Sequence, residues 1–478
     1  MSTRRLTALV ALTLLTACDK SATPGTEPPT VPQLSLPSTL STDVIYTWNE
    51  IATQFVARMN VPAPLPPTME SQIYAQVNGA IFDAVNTIQR RYRPYAYTVR
   101  PMTECSVESL VPTAAFTVLE AIGQRAVVAS GNTLSAPLAF VRARYQEVES
   151  GNAARHNEDG SATSDDGRAR LHCTQIGREI GLAMLITRAA DNTIGQGLAP
   201  YTSSGLPGAY RATPPFASDA TNMHGLSDGQ LWSTVQPFII TSAHQFRAPA
   251  PYGATNQADA VKTAAYAADF DEVKRLGSAT STARTAEQTD IAFFWMENSP
   301  LTWNRAARSI ALRRQLGASE LAHFLAVLSF AEADAYLVAF DTKYTHAFWR
   351  PITAIRFADD DGNPATVADQ HWDVASATLG VPTPPIPDYT SGHALAGGAA
   401  AAAIETLLGG DNSFTITSTT LPGKSRSFAS PSAAATENAE SRIFIGYDFR
   451  QATETGLRQG LELGRFVATN ALPLARRE

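Results

Sequence analysis

Lys343-Tyr-Thr-His-Ala-Phe-Trp-Arg350-Pro351 is the stretch that decides the fold, because it follows a long apolar helical pattern over residues 319–343. Seven positions at 3.6 residues per turn bring Lys343 and Arg350 to nearly the same helix face. Pro351 disfavours helical geometry at Arg350, so the helix is expected to end there. Two cations are therefore predicted to point in one direction.

Two later stretches add an anion-binding character. Pro387-Asp-Tyr-Thr-Ser391-Gly392-His393 opens into an alanine-rich run over residues 394–408, which is typical of a helix start. Ser391 and Gly392 at that start offer free backbone N–H groups and the positive end of the helix dipole. Ser441-Arg442-Ile-Phe-Ile-Gly446-Tyr447-Asp448 supplies another guanidinium. The three stretches together predict one divided site for a small anion.

In this order and at these separations, the stretches resemble the signature K-x6-R-P, P-S-G-H and S-R-x5-H of the superfamily of type 2 phosphatidic acid phosphatases and vanadium-dependent haloperoxidases. Residues 330–357, 433–466 and 70–86 are similar to its bacterial secreted haloperoxidase-like branch. The resemblance implies an all-α fold of packed helical bundles with the anion site between helices. It implies oxyanion binding by Lys343, Arg350, Ser391, Gly392 and Arg442, and vanadate as the cofactor of a peroxidase.

The chain departs from this pattern at Asp448, where the family carries the histidine that ligates vanadate or attacks phosphate. No histidine follows His393, so none in the third stretch replaces it. Thr390 and Ala452 are lesser departures, and neither is expected to touch the anion. We therefore take His393 and Asp448 as the candidate catalytic residues, with Asp448 the one candidate vanadate ligand.

His393 has the acid/base role in the family comparison. An unperturbed histidine pKa near 6.5 allows proton exchange at neutral pH. A purely structural histidine, which caps a carbonyl at the helix start, is the alternative. Phe348, Trp349 and His346 are either contacts of a halide or organic substrate, or ordinary core residues.

Three outcomes are open for the reaction. Asp448 ligates vanadate or acts as an acyl-phosphate nucleophile, or it activates water in a phosphatase-like hydrolase, or turnover has lapsed. A vanadium haloperoxidase-like or acid phosphatase-like enzyme ranks first, with a small oxyanion and a phosphorylated or halide substrate as partners. The rival is a catalytically lapsed oxyanion-binding or structural lipoprotein of the periplasm.

The N-terminus predicts export and lipidation. Arg4 and Arg5 precede a short apolar run and Leu15-Thr-Ala-Cys18, which resembles a bacterial lipoprotein processing site. We expect residues 1–18 to be the lipoprotein signal peptide, 19–41 a flexible linker rich in Pro, Thr and Ser, and 42–478 one helical domain. An ordinary cleaved signal with an incidental cysteine is the alternative. The expected location is the bacterial cell envelope, facing the periplasm, with membrane contact through the lipid alone.

The composition bounds the remaining choices. The 478 residues have a formal net charge of -7, which argues against nucleic acid and against general attraction to anionic lipid. Cys105 and Cys173 remain after Cys18 and can pair in an oxidising compartment, with two buried free thiols as the alternative.

Apolar periodicity predicts helices over most of the remaining chain. The predicted ranges are 48–59, 70–88, 113–128, 138–148, 173–190, 258–276, 287–296, 306–316 and 319–343. Residues 192–253 are expected to form long loops over the mouth of the site. Asp334 and Asp341 share a helix face and either orient a site cation or histidine, or lie in solvent. Glycines 456, 460 and 464 predict close helix packing.

Overall fold

A 29-residue helix, α10 (Ala318–His346), runs through the centre of the molecule. Its apolar residues face every direction, which is the pattern of a helix buried on all sides. By length and composition alone it could cross a membrane, but its most apolar 18-residue window is 94% buried inside the protein. It is therefore the core helix of the fold.

The computed structural model describes residues 42–60, 65–102, 104–158, 164–191 and 197–475. Besides α10, the helices within these ranges are α1 (Asp43–Met59), α2 (Pro67–Gln89), α3 (Val107–Ala129), α4 (Ser135–Glu158), α5 (Ser164–Thr187), α6 (Gln257–Ala260), α7 (Ala264–Leu276), α8 (Ala286–Phe294), α9 (Ser299–Arg314), α11 (Pro351–Arg356), α12 (Gly392–Leu408), α13 (Pro431–Ile445) and α14 (Arg450–Asn470). Two antiparallel hairpins complete the fold, β1 (Ala199–Thr202) with β2 (His224–Ser227) and β3 (Phe414–Thr417) with β4 (Ser425–Phe428). The predicted all-α class is confirmed.

The N-terminal bundle consists of α1 to α5, and α2 packs it against α10. A disulfide joins Cys105, just before α3, to Cys173 in α5. The bridge closes a sequence separation of 68 residues. On the chain-entropy model such a loop stabilises the fold by about 4 kcal/mol. The predicted signal peptide, linker and lipidated Cys18 lie outside the described residues and stay predictions.

Helices α12 and α14 approach each other closely because glycines of α14 face the backbone of α12. A Cβ atom added at Gly460 would lie 2.1 Å from the carbonyl oxygen of Leu395, and one at Gly464 would lie 2.2 Å from that of Ala399. Backbone oxygens cannot yield as a flexible side chain can, so these glycines are required for the contact. The predicted packing stripe is confirmed, and it positions the start of α12 against α14.

Two sequence predictions about α10 are wrong. The helix ends at His346, where Ala347 adopts the left-handed conformation, and residues 348–350 are not helical. Arg350 instead precedes α11 with extended backbone, and Pro351 is the first residue of that helix. Lys343 and Arg350 therefore do not share one helix face, and tertiary packing brings them together.

Asp334 and Asp341 neither lie in solvent nor orient a site residue. The carboxylate of Asp334 accepts hydrogen bonds from the backbone N–H groups of residues 238–240 at 2.7 to 3.0 Å. Asp341 forms an ion pair with Arg247 at 2.6 Å. Both fasten the segment between β2 and α6 to the core helix, because buried backbone donors need acceptors.

Candidate oxyanion site

The predicted anion-binding residues come from four helix ends and meet around Asp448. Lys343 lies in the last turn of α10, Arg350 directly before α11, Ser391 directly before α12, and Arg442 in the last turn of α13. Asp448 lies in the short connection between α13 and α14. The side chains of Arg350, Arg442 and Asp448 are at most 4% exposed.

The Asp448 carboxylate lies among the residues predicted to bind an anion and accepts hydrogen bonds from two of them. It accepts a short hydrogen bond from Nη1 of Arg350 and one of 2.7 Å from the Ser391 hydroxyl. Nε of Arg442 lies 3.7 Å from its Oδ2 atom. The two carboxylate oxygens thus take the positions and donors that two oxygens of a tetrahedral oxyanion would take. Asp448 is an internal anion at the site.

Protonation states follow from these contacts. Burial alone would raise the pKa of Asp448, but Arg350, Lys343 and Arg442 outweigh burial and lower that pKa to about 2. Asp448 is therefore ionised at neutral pH. Burial, together with the neighbouring Arg350, lowers the pKa of Lys343 to about 7.

Asp388 lies beside the predicted anion-binding residues. It belongs to the second motif, but the sequence alone assigns it no role. Its backbone carbonyl and that of Pro387 each accept a hydrogen bond of 2.7 Å from Nζ of Lys343. Both side-chain oxygens are buried without a hydrogen-bond partner, and Oδ1 lies 3.9 Å from Nη1 of Arg350. Burial and the charge of Asp448 raise the pKa of Asp388 well above its usual range. Its surroundings therefore favour the protonated form of Asp388.

The site therefore carries more positive than negative charge. The guanidinium of Arg442 is 3% exposed, its Nε atom has no hydrogen-bond partner, and its Nη1 atom makes a long contact of 3.5 Å with the Trp295 carbonyl. Lys343, Arg350 and Arg442 face the ionised carboxylate of Asp448 and the carboxyl of Asp388, whose pKa is raised. A buried cation without full pairing is unfavourable, so a further anion would be stabilised here.

Ser391 and its neighbours are held by backbone contacts. The Ser391 N–H donates to the carbonyl of Ala452 at 3.0 Å, and its hydroxyl accepts from the N–H of Ala394 at 3.4 Å. The hydroxyl of Thr390 donates to Gln459 in α14 at 2.7 Å. Thr390 and Ala452 thus leave Asp448 untouched and position Ser391. Gly392 begins α12 beside them and packs near the ring of Tyr336.

His393 does not have the near-neutral pKa expected from its sequence position. Burial, followed by the charge of Arg442, lowers its pKa to about 3. Nε2 lies 3.2 Å from the carbonyl oxygen of Glu297, so the neutral ring donates its proton there and leaves Nδ1 as an acceptor. In this state His393 cannot act as a general acid.

The aromatic residues beside Arg350 belong to the core. Phe348 is 1% exposed, Trp349 is fully buried, and both pack among Tyr266, Phe449 and their neighbours. His346 places Nε2 2.9 Å from the carbonyl oxygen of Ala248. Of the two interpretations of Phe348, Trp349 and His346, the structure shows ordinary core packing.

Comparison with known proteins finds a likeness in sequence in the C-terminal part of the chain. Residues 323–476 match the family model of the VCPO second helical-bundle domain. A vanadium chloroperoxidase from Curvularia inaequalis is 29% identical over 198 residues, which are 35% of this chain and 30% of that enzyme. The match thus spans less than a third of the curated relative.

Solved structures extend the likeness in fold to nearly the whole chain. A bacterial vanadium-dependent iodoperoxidase superposes with a TM-score of 0.68 at 24% identity, covering 93% of this chain and 100% of that one. A bacterial vanadium-dependent chloroperoxidase in its apo form gives 0.62 at 16% identity, with 86% and 94% covered. The chain therefore shares the fold of the bacterial vanadium-dependent haloperoxidases, and residues 323–476 also match the family model of their second helical-bundle domain.

Proposed function

We propose that this protein is a phosphatase-type hydrolase of the haloperoxidase-like superfamily, which binds the phosphate group of a small ester at the site around Asp448. The observation that supports this proposal is the convergence of Lys343, Arg350 and Arg442 on a single ionised carboxylate. Phosphoryl transfer is catalysed mainly by positioning and by charge neutralisation, which these residues supply. No described feature of the site would instead favour a neutral substrate.

Binding exchanges one anion for another. The incoming phosphate oxygens take the donors of Arg350 and Ser391, and the displaced Asp448 carboxylate stays beside the phosphorus atom. One Asp448 oxygen then forms a bond to phosphorus while the ester P–O bond breaks, which leaves an acyl phosphate that water hydrolyses. In the alternative mechanism, Asp448 acts as a base and its carboxylate takes a proton from the attacking water.

The leaving alkoxide needs a proton, and His393 is placed to provide it. The negative charge of a bound phosphate opposes the effect of Arg442 and so raises the pKa of His393 from its low value in the free protein. The proposal requires this rise to bring His393 into its protonated form when substrate is bound. This dependence on the substrate makes His393 an acid within the complex, while it stays neutral in the free protein.

Vanadate does not fit this site as a covalently held cofactor. The family comparison assigns the ligand role to a histidine, whereas this chain has a carboxylate that already binds Arg350 and Ser391. A carboxylate adds a negative charge beside an anion, and two unit charges 4 Å apart repel by about 4 kcal/mol at an effective dielectric near 20. We therefore propose phosphate chemistry ahead of the peroxidase chemistry of the related enzymes.

The experiment compares binding and turnover in the same preparations. Wild-type protein is expected to bind inorganic phosphate in calorimetry and to hydrolyse an aryl phosphate. Asp448→Asn is expected to bind phosphate at least tenfold more tightly, because the competing charge is gone, and to lose turnover by about a thousandfold. A parallel assay with vanadate, hydrogen peroxide and bromide detects peroxidase activity. Bromide oxidation by the wild type without phosphatase activity would overturn the proposal.

A catalytically lapsed oxyanion-binding lipoprotein is the second candidate. The occupation of the anion position by Asp448 favours it, since the same contacts that bind Asp448 hinder entry of a substrate. Phosphate binding without hydrolysis by the wild type, combined with activity gained by Asp448→His, identifies this case. Absence of phosphate binding in both the wild type and Asp448→Asn would remove both candidates.

We also propose the cell-envelope location predicted from Cys18. This proposal rests on the sequence before residue 42 alone. Fractionation of cells that express Cys18→Ala tests it, because the variant should leave the membrane fraction while retaining the activity of the wild type.

A further inference from the structure

A second cavity lies in the N-terminal bundle, away from the oxyanion site. It has a volume of about 250 Å³ and is formed by the end of α1, the first turns of α2 and the last turns of α3. Its apolar lining consists of Met59, Leu65, Met69, Ile73, Ile122, Ala126, Ala129 and Leu134. At about 30 Å³ for each water-sized group, the cavity has room for a chain of roughly eight carbon atoms.

Polar atoms at the base of this cavity lack partners. Gln72 is 2% exposed, and neither its amide nitrogen nor its amide oxygen has a hydrogen-bond partner. The amide oxygen of Gln76, which is 6% exposed, is also unpaired. Both side chains line the cavity. Buried amides are nearly always hydrogen-bonded, so the amide nitrogen of Gln72 indicates an acceptor inside the cavity, while the amide oxygens of Gln72 and Gln76 need donors, which water supplies.

A cation lies at the edge of the same cavity. Arg125 lines it and is itself exposed, and its Nε atom donates to the carbonyl of Ala121 at 3.4 Å. The terminal guanidinium nitrogens form no hydrogen bond with the described residues. A guanidinium with free donors is the preferred partner of a carboxylate. The cavity thus combines an apolar interior, unpaired amides and an adjacent positive charge.

We propose that this cavity binds a medium-chain alkyl carboxylate, with the chain among the methionine and leucine side chains. The head group accepts hydrogen bonds from the amide nitrogen of Gln72 and from Arg125, and a water bound beside it donates to the amide oxygens of Gln72 and Gln76. Small-molecule sites typically have this composition, a mostly apolar lining with a few convergent polar groups. The proposal is independent of the reaction at Asp448. A water molecule that satisfies Gln72 alone is the competing explanation.

Calorimetry with sodium octanoate on the purified protein tests the proposal. We expect one site per chain, and binding of n-octanol at least tenfold weaker, because it lacks the carboxylate. Arg125→Gln should weaken octanoate binding about tenfold, the typical loss of a charge-assisted hydrogen bond. Ala126→Leu, which fills the cavity, should abolish binding. Arg275→Gln, which changes an exposed arginine on α7, serves as the matched control.

Three results would overturn the assignment. Absence of octanoate binding leaves water as the occupant, equal affinity for octanol rejects the carboxylate class, and unchanged binding in Ala126→Leu places the site elsewhere. Thermal unfolding of Ala126→Leu checks that the variant is folded. Arg125→Gln lies at the exposed edge, so its result stands even where Ala126→Leu fails to fold.

Discussion

Asp334 and Asp448 are both buried aspartates, yet their surroundings differ in kind. Three backbone N–H groups hold the carboxylate of Asp334, whereas Asp448 is held by a guanidinium and a hydroxyl with two further cations nearby. Burial raises the pKa of Asp334 to about 6, while formal positive charge lowers that of Asp448 to about 2. Backbone N–H groups supply hydrogen bonds to the carboxylate of Asp334 but do not neutralise its charge. An excess of full charges is what distinguishes a candidate site from a structural anchor.

The first way to break the comparison is to disturb the support of Asp448 alone. Gly460→Ala adds a Cβ atom 2.1 Å from the carbonyl oxygen of Leu395, so α12 and α14 must separate and Ser391 must move. We expect a loss of about 3 kcal/mol or more in the free energy of unfolding, together with loss of phosphate binding. Urea denaturation and calorimetry measure the two effects.

Gly317→Ala is the control for that variant, because a Cβ atom there meets nothing within 4 Å. Gly317 is the N-cap of α10, where alanine is less favourable than glycine, so stability should fall by less than about 1 kcal/mol. If Gly460→Ala behaved like Gly317→Ala, the close contact between α12 and α14 would not be what positions Ser391.

The second prediction separates the two aspartates by rescue. Asp334→Asn and Asp448→Asn should each lower the free energy of unfolding by about 2 to 3 kcal/mol, because each leaves buried partners unsatisfied. Added phosphate should restore about 2.7 kcal/mol to Asp448→Asn at a hundredfold excess over its dissociation constant. It should not restore Asp334→Asn beyond its effect on the wild type. Equal rescue of both variants would contradict the assignment of the anion site.

The third prediction concerns pH and has opposite signs at the two positions. The folded pKa of Asp334, about 6, exceeds the unfolded value near 3.9, so its contribution to stability falls by about 3 kcal/mol as pH rises from 4 to 6. The folded pKa of Asp448, about 2, is below the unfolded value. Its contribution therefore falls by about 2.5 kcal/mol as pH drops from 4 to 2.

Urea denaturation of Asp334→Asn and Asp448→Asn between pH 2 and pH 7, each subtracted from the wild type, isolates these contributions. Subtraction removes the other titrating carboxyls, such as Asp83, whose burial raises its pKa to about 6. Difference curves with the same sign would show that the two environments do not differ as described.

The smallest predicted effect sharpens the role of Lys343. With a pKa lowered to about 7, this lysine loses its charge as pH rises, so binding of sulfate should weaken by up to about tenfold between pH 6 and pH 8.5. Sulfate is the suitable probe because its own charge is constant in this range. Lys343→Arg keeps its charge and should flatten the profile. An unchanged slope in that variant would exclude Lys343 as the titrating group.

Much of the fold could be predicted from local patterns. The helix start at Ser391 is confirmed by its capping hydrogen bond, and the glycine stripe of α14 packs as expected. The long-range contacts of the buried aspartates could not be predicted in this way. The partners of Asp334 lie 94 to 96 residues away in sequence, and nothing local in the chain indicates them.

The sequence by itself determined the all-α class, the helix-start position of Ser391 and the presence of three cations in the motifs, because periodicity, capping and residue type are local properties. Only the tertiary structure decided that Asp448 contacts Arg350 and Ser391, since these contacts span 98 and 57 residues in sequence. It also decided the pKa directions of His393, Lys343 and Asp388. Those values depend on burial and neighbouring charge, which exist only once the helices have packed.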